Sequence, residues 1–220
     1  MKKVLGSFLL VAAQFAWAQT ARNVGEFSSL KVYDKIKVTL IQSDNSRVEL
    51  ENDNADVETV NKNGELKIRM APAKILQGSN TVVKVYYENL NDIQASQGSA
   101  VSAENELQSR MLTLVANEGS MIEFPVKTSK LNIKTNSAGE IKLTGIADNQ
   151  DVVVNSGGKY FGETVESENT TVTANAGGMA TVTATGSVNA TTRAGGIIDI
   201  HGDPEDRKVR NVIGGKISFK

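Results

Sequence analysis

Two carboxylates, Glu123 and Glu140, come closest to a chemical role in this sequence. Glycoside hydrolysis uses a pair of carboxylates about 5–10 Å apart across the scissile bond, a spacing that outward positions on adjacent repeats of a stacked β structure can supply. Lys142 and Lys159 recur at matching places, and alternating charges on stacked strands read first as solvated ion pairs. A carbohydrate-active enzyme is therefore the rival reading, and the chain is read as a non-enzyme. His201 is the one histidine and there is no cysteine, so His201 reads as a surface turn residue rather than a ligand or proton shuttle. Asp203, Glu205 and Asp206 beside it read as a solvated turn rather than a calcium site. Without cysteine there are no disulfides, thiolate metal centres or Cys nucleophiles. No metal and no cofactor is expected. Threonines 171, 173, 181, 183 and 185 alternate as in ice- or glycan-binding solenoids, yet they hold no common register between repeats, and Thr favours strands in any case.

The elements that would position these groups are set by a repeat. A four-residue turn recurs as Ser96-Gln97-Gly98-Ser99, Asn117-Glu118-Gly119-Ser120, Asn136-Ser137-Ala138-Gly139 and Asn155-Ser156-Gly157-Gly158. It continues as Asn175-Ala176-Gly177-Gly178, Arg193-Ala194-Gly195-Gly196 and Val212-Ile213-Gly214-Gly215, at steps of 21, 19, 19, 20, 18 and 19 residues. The flanks keep the register. Val101, Ile122, Ile141, Tyr160, Ala180, Ile198 and Ile217 form one column after the turn. Ile93, Leu114, Ile133, Val152, Val172, Ala190 and Val209 form one before it. Period-two alternation marks strands rather than helices. A strand–turn–strand unit of this size cannot bury its apolar side alone, whereas stacking at about 4.8 Å per unit buries a continuous interior. The fold class predicted is all-β, a parallel β-helix of about seven coils. An antiparallel sandwich is the competitor, but it does not require one register to persist through seven turns.

Stacked coils would align Asn117, Asn136, Asn155 and Asn175 into a structural turn ladder of side-chain amides. Asn also tolerates the left-handed backbone of a tight turn. Met121, Phe161, Met179 and Ile197 fall on outward positions, and a contiguous exposed apolar patch marks an interface; these four are the candidate binding residues.

Residues 24–90 lack the glycine column. Strands are predicted over 27–32, 36–41, 47–51, 66–70 and 82–87, with a hairpin at Asn63-Gly64 and a loop over 71–80. Asp44-Asn45-Ser46 and Glu51-Asn52-Asp53-Asn54 read as turns. This part is expected to form an antiparallel or mixed layer covering one solenoid end, since an uncovered end is an exposed sheet edge. The other end lacks a tail, which suggests association of copies through that edge. At the amino terminus Lys2 and Lys3 precede an apolar run over 4–15 and then Ala16-Trp17-Ala18, the pattern of a cleaved export signal. That run is shorter than the roughly 20 residues of a membrane span. The domain organisation read from the sequence is thus a leader over 1–18, a β layer over 19–90 and repeats over 91–220, with no transmembrane segment in the mature chain. A net charge of −1 argues against a nucleic-acid partner.

The segments Phe27-Ser28-Ser29-Leu30-Lys31-Val32, Ile36-Lys37-Val38-Thr39-Leu40 and Gly64-Glu65-Leu66-Lys67-Ile68 resemble the putative auto-transporter adhesin, head GIN domain family. So do the later Ser-Gly-Gly and Ala-Gly-Gly turns and the ending Ile200-His201-Gly202-Asp203-Pro204 with Gly214-Gly215-Lys216-Ile217. His201 stands where that pattern has an aromatic residue. The resemblance spans most of the mature chain and implies an exported β-helical domain of Gram-negative envelopes, placed in the periplasm, at the outer-membrane surface or outside the cell. It carries over no catalytic or binding residues. The chain shows no barrel segment after its last repeat, so self-export is not expected. The function expected is adhesin-like binding of a glycan or protein on a rigid β-helix face, with a periplasmic structural or sensing module as a further alternative.

Overall fold

The computed structural model describes residues 20–51 and 56–220. The leader at 1–18 and positions 52–54 of the turn at 51–54 lie outside the described residues. Nine short strands come first: β1 (Thr20–Asn23), β2 (Ser29–Val32), β3 (Lys37–Gln42), β4 (Arg47–Leu50), β5 (Val57–Lys62), β6 (Glu65–Met70), β7 (Val82–Tyr87), β8 (Asp92–Ala95) and β9 (Ala100–Ala103). Long, bent strands follow: β10 (Leu107–Asn117), β11 (Met121–Asn136), β12 (Glu140–Val154), β13 (Lys159–Asn175) and β14 (Met179–Arg193). The chain closes with β15 (Ile197–His201), β16 (Asp206–Val212) and β17 (Lys216–Phe219).

The fold is an all-β solenoid. From β8 onward every pairing is parallel, and partners follow the two predicted columns from Ile93 to Val209 and from Val101 to Ile217. Along β11 the inward residues Ile122, Phe124, Val126, Thr128, Leu131, Ile133 and Thr135 are buried, and the alternation breaks at Ser129 and Lys130, where the strand turns a corner. Stacked inward columns, apolar at most positions, fill the interior over the length of the stack.

The turns explain the glycine column. Their second and third residues both have positive φ, for example Ser156 (51°) with Gly157 (70°) and Ser137 (49°) with Ala138 (60°). Glycine at the third position removes one of the two left-handed penalties. The fourth position is glycine for a different reason. A Cβ on Gly139 would meet the Ala116 carbonyl oxygen at 2.2 Å, because the turn closes over the inward residue of the coil before it. In the two earliest of these turns that place is serine instead. Ser99 Oγ donates to the Val32 carbonyl (3.0 Å) and Ser120 Oγ to the Ala95 carbonyl (2.7 Å).

Residues 24–90 form a mixed layer. β2 and β3 are joined by a turn over Tyr33-Asp34-Lys35-Ile36 that has the same double left-handed backbone, with φ of 62° at Asp34 and 64° at Lys35. β2 pairs in parallel with both β6 and β8, and β3 with both β7 and β9. The β6–β7 unit therefore stacks outside β2–β3, although it comes later in the chain. Beyond it the pairing turns antiparallel: β5 on β6, β4 on β7 and β1 on β4. Buried Asp34 ties this end together, its carboxylate accepting from the backbone N–H groups of Met70 (3.0 Å) and Leu76 (3.2 Å).

A polar network lies inside the stack around Tyr160. Tyr160 is fully buried, and its ring fits because residue 162 is glycine; a Cβ there would lie 2.4 Å from the ring. The Tyr160 hydroxyl donates to Gln150 Oε1 (3.1 Å), and Gln150 Nε2 donates to Ser167 Oγ (2.8 Å) and Thr170 Oγ1 (3.2 Å). Burial pushes the Tyr160 phenol far above its ordinary range.

Candidate functional site

The outer surface consists of columns running along the solenoid axis, one side chain per coil. In one column Ala100, Met121, Glu140, Lys159, Met179, Ile197 and Lys216 are successive partners. Two residues further on, Ser102, Glu123, Lys142, Phe161, Thr181, Asp199 and Ser218 are partners in turn. The carboxylates singled out for acid–base chemistry are both engaged here: Glu123 pairs with Lys142 at 2.8 Å and Glu140 with Lys159 at 4.0 Å. The hydrogen bond from Lys142 to Glu123 holds the Lys142 ammonium above its ordinary pKa. Glu140 is half-buried and the other three are exposed, so the pairs are screened and contribute little to stability.

The four apolar candidates fall into two places. Met179 and Ile197 are direct partners, and Phe161 lies diagonally beside Met179, opposite Thr181. Met121 is in the same column as Met179, but Glu140 and Lys159 intervene. Met121 and Met179 are exposed, whereas Phe161 and Ile197 are half-buried. The apolar area is thus a cluster of three residues on β13, β14 and β15, with Met121 apart.

At the turn edge the asparagines join side chain to side chain. Asn136 Nδ2 donates to Asn117 Oδ1 (2.8 Å), Asn155 Nδ2 to Asn136 Oδ1 (3.0 Å) and Asn175 Nδ2 to Asn155 Oδ1 (2.8 Å). The row stops where Arg193 takes the next place, and Asn175 Oδ1 is left buried without a donor.

A second amide row went unseen in the sequence. At the corner opposite the turns, Asn149 Nδ2 donates to the Ser129 carbonyl (3.4 Å), Asn169 Nδ2 to Asn149 Oδ1 (3.2 Å) and Ser187 Oγ to Asn169 Oδ1 (2.8 Å). The recurrence of Asn at 149 and 169 was the available signal. It was faint because only two of the five positions in that column, Lys130, Asn149, Asn169, Ser187 and Asp206, carry Asn. This row borders a groove of about 470 Å³.

His201 is a half-buried strand residue opposite Thr183 rather than a turn residue. Asp203 pairs with Arg207, whose guanidinium also lies over the Phe219 ring. The described residues contain no group of three or more His, Cys, Asp or Glu able to share a metal ion, and no helix among them is long and apolar enough to cross a membrane.

The family profile described as putative auto-transporter adhesin, head GIN domain, matches residues 26–204. Among solved structures, a putative adhesin from Bacteroides fragilis aligns with a TM-score of 0.85 at 19% identity, covering 92% of this chain and 96% of the other. A putative adhesin from Parabacteroides distasonis aligns at 0.73 and 19% identity, with the same coverage. A protein from that organism described as a putative lipid binding protein aligns at 0.69 and 17% identity, again covering 92% and 96%. At these identities the likeness is one of fold. A search of curated proteins finds no match.

Proposed function

This chain belongs to the putative auto-transporter adhesin, head GIN domain family, and we propose that it is an exported, non-enzymatic binding protein that presents a rigid solenoid face to a glycan or protein. The observation that carries this reading is the continuity of the outward columns. Parallel ladders from β8 to β17 fix each side chain of a column at one coil spacing from the next. A surface held this way loses little conformational freedom on binding, so more of the contact energy is kept as affinity. The cluster of Phe161, Met179 and Ile197 supplies an apolar contact within such a face. Lys142 already occupies Glu123, which favours binding over acid–base work. The export signal and the family together support a place in the periplasm, at the outer-membrane surface or outside the cell.

Purified residues 19–220 would be tested for saturable binding to an array of bacterial, host and plant glycans and to proteins solubilised from the native envelope. Saturable retention of one class, weakened by Phe161→Ala or by substitutions elsewhere on the outward columns, is expected. Retention of nothing from either set would overturn the reading. Turnover of a glycan that is abolished by Glu123→Gln or Glu140→Gln would replace it with the enzymatic one. Self-association through the β16–β17 edge is part of the same proposal; sedimentation showing monomer at all concentrations would remove that part alone.

A further inference from the structure

Resting on the binding-protein reading, we propose that the groove across the corners of β12, β13, β14 and β16 is a binding site for a neutral, unbranched oligosaccharide laid along the solenoid axis. Its floor is made by two columns. One carries Asn149, Asn169 and Ser187, and the other carries Thr171 and Asn189.

Three observations point to a sugar. The hydrogen-bond row from Ser187 through Asn169 and Asn149 to the Ser129 carbonyl fixes both amide planes. Each amide still keeps one N–H and one carbonyl lone pair unused within that row, because a carboxamide offers two donors and two acceptor sites. Thr171 and Asn189 have no side-chain hydrogen bond among the described residues, and both are exposed. Neighbouring sugar hydroxyls each donate and accept, and groups that do both, already held in place, match them without an ordering cost.

Charge narrows the ligand further. Lys130 and Asp151 pair at 3.5 Å at one end of the groove. Asp206 and Lys208 stand at the other end, so the charged lining sums to zero. A phosphate or polyanion would find no net attraction there. Nor does the lining offer the apolar core that protein interfaces and most small-molecule pockets use.

Geometry sets the orientation. The column from Lys130 to Asp206 crosses four coil steps, about 19 Å at the strand spacing. An extended β-linked sugar chain advances by about one such step per residue. One sugar per coil then meets the same pair of columns repeatedly.

The test uses residues 19–220 in calorimetric titrations with five β-1,4-linked sugars: cellotetraose, xylotetraose, mannotetraose, chitotetraose and galactotetraose. At least one is expected to saturate with a Kd of about 1 mM or tighter, with little change from low to high salt, as an uncharged ligand requires. Thr171→Lys and Asn189→Lys fill the groove from exposed positions outside the amide row. Each is expected to weaken binding by about tenfold or more at an unchanged melting temperature, while Lys37→Ala, at an exposed position of β3 in the amino-terminal layer, leaves it intact. Binding that survives both lysine variants, or that is lost in Phe161→Ala alone, would overturn the groove while leaving the binding-protein reading in place. Saturation by none of the five sugars would also overturn it; capture of an envelope protein by the same chain would then show that the broader reading survives.

Discussion

Asn155 uses its side-chain amide twice, donating to Asn136 and accepting from Asn175. Asn155→Ala removes both bonds and leaves two partly buried amides short of partners, so a loss of about 1–3 kcal/mol is expected, read as a lower urea midpoint. The opposite change is available at the end of the row. Asn175 Oδ1 is buried without a donor beside the coil that carries Arg193, and Arg193→Asn would place one there. A gain of about 0.5–1.5 kcal/mol is expected, and no shift in the midpoint would show that the row does not propagate. Tyr160 gives a pH dependence. Its folded pKa lies above that of a free phenol near 10, because burial penalises the phenolate. The contribution is complete below about pH 10 and is lost as pH rises further, since only the unfolded chain releases the proton easily. Burial also raises Tyr86 and Tyr87, so ultraviolet titration should show Tyr160 among the tyrosines that ionise late, its signal appearing only as the protein unfolds. Tyr160→Phe should reduce that alkaline loss, at a cost near neutrality of about 1–3 kcal/mol for the stranded Gln150 carbonyl.

The turn is the element on which the repeat depends, and its third and fourth positions respond differently to substitution. At Gly157 the φ is 70° and a Cβ would have nothing within 4 Å of it, so alanine there should cost only the left-handed penalty of about 1–2 kcal/mol. At Gly139 a Cβ would meet backbone at 2.2 Å. Gly139→Ala must move one coil against the next and should fall among the exceptional losses of over about 4 kcal/mol. Ala138, with φ of 60°, sits where most turns have glycine, and Ala138→Gly should stabilise by up to about 1 kcal/mol. Thermal melts of the parent and the three variants would rank them. The same chemistry decided what could be read from the sequence. Seven turns were legible because glycine or alanine marks the third position. The Tyr33–Ile36 turn was not, since Asp34 and Lys35 adopt the left-handed region themselves and the Asp34 carboxylate is held by two backbone amides. Of the site, the columns carrying Met179 and Phe161 followed from the period. The groove did not, because its column runs Lys130, Asn149, Asn169, Ser187 and Asp206, a mixture of residue types that marks no repeat.

Over the whole molecule, stability should fall from the middle of the stack toward β16 and β17. Coils contact mainly their neighbours, so an end coil has one partner where a central coil has two. The burial follows this order: β11 to β14 alternate between buried and exposed residues, whereas β16 and β17 have no fully buried residue. Hydrogen exchange should be slowest in β11–β14 and fastest in β16–β17, and uniform protection would contradict a stack of separable coils. The opposite end has a different history built into it. β2–β3 reaches both its parallel neighbours only after β6–β7 and β8–β9 have been made. A chain delivered amino terminus first across a membrane therefore presents its second coil before its first. That early arch has both edges open until the segment behind it doubles back to close one of them. The edge toward β8 is then the one free to template later chain, so the topology predicts assembly as a one-way zipper from that edge.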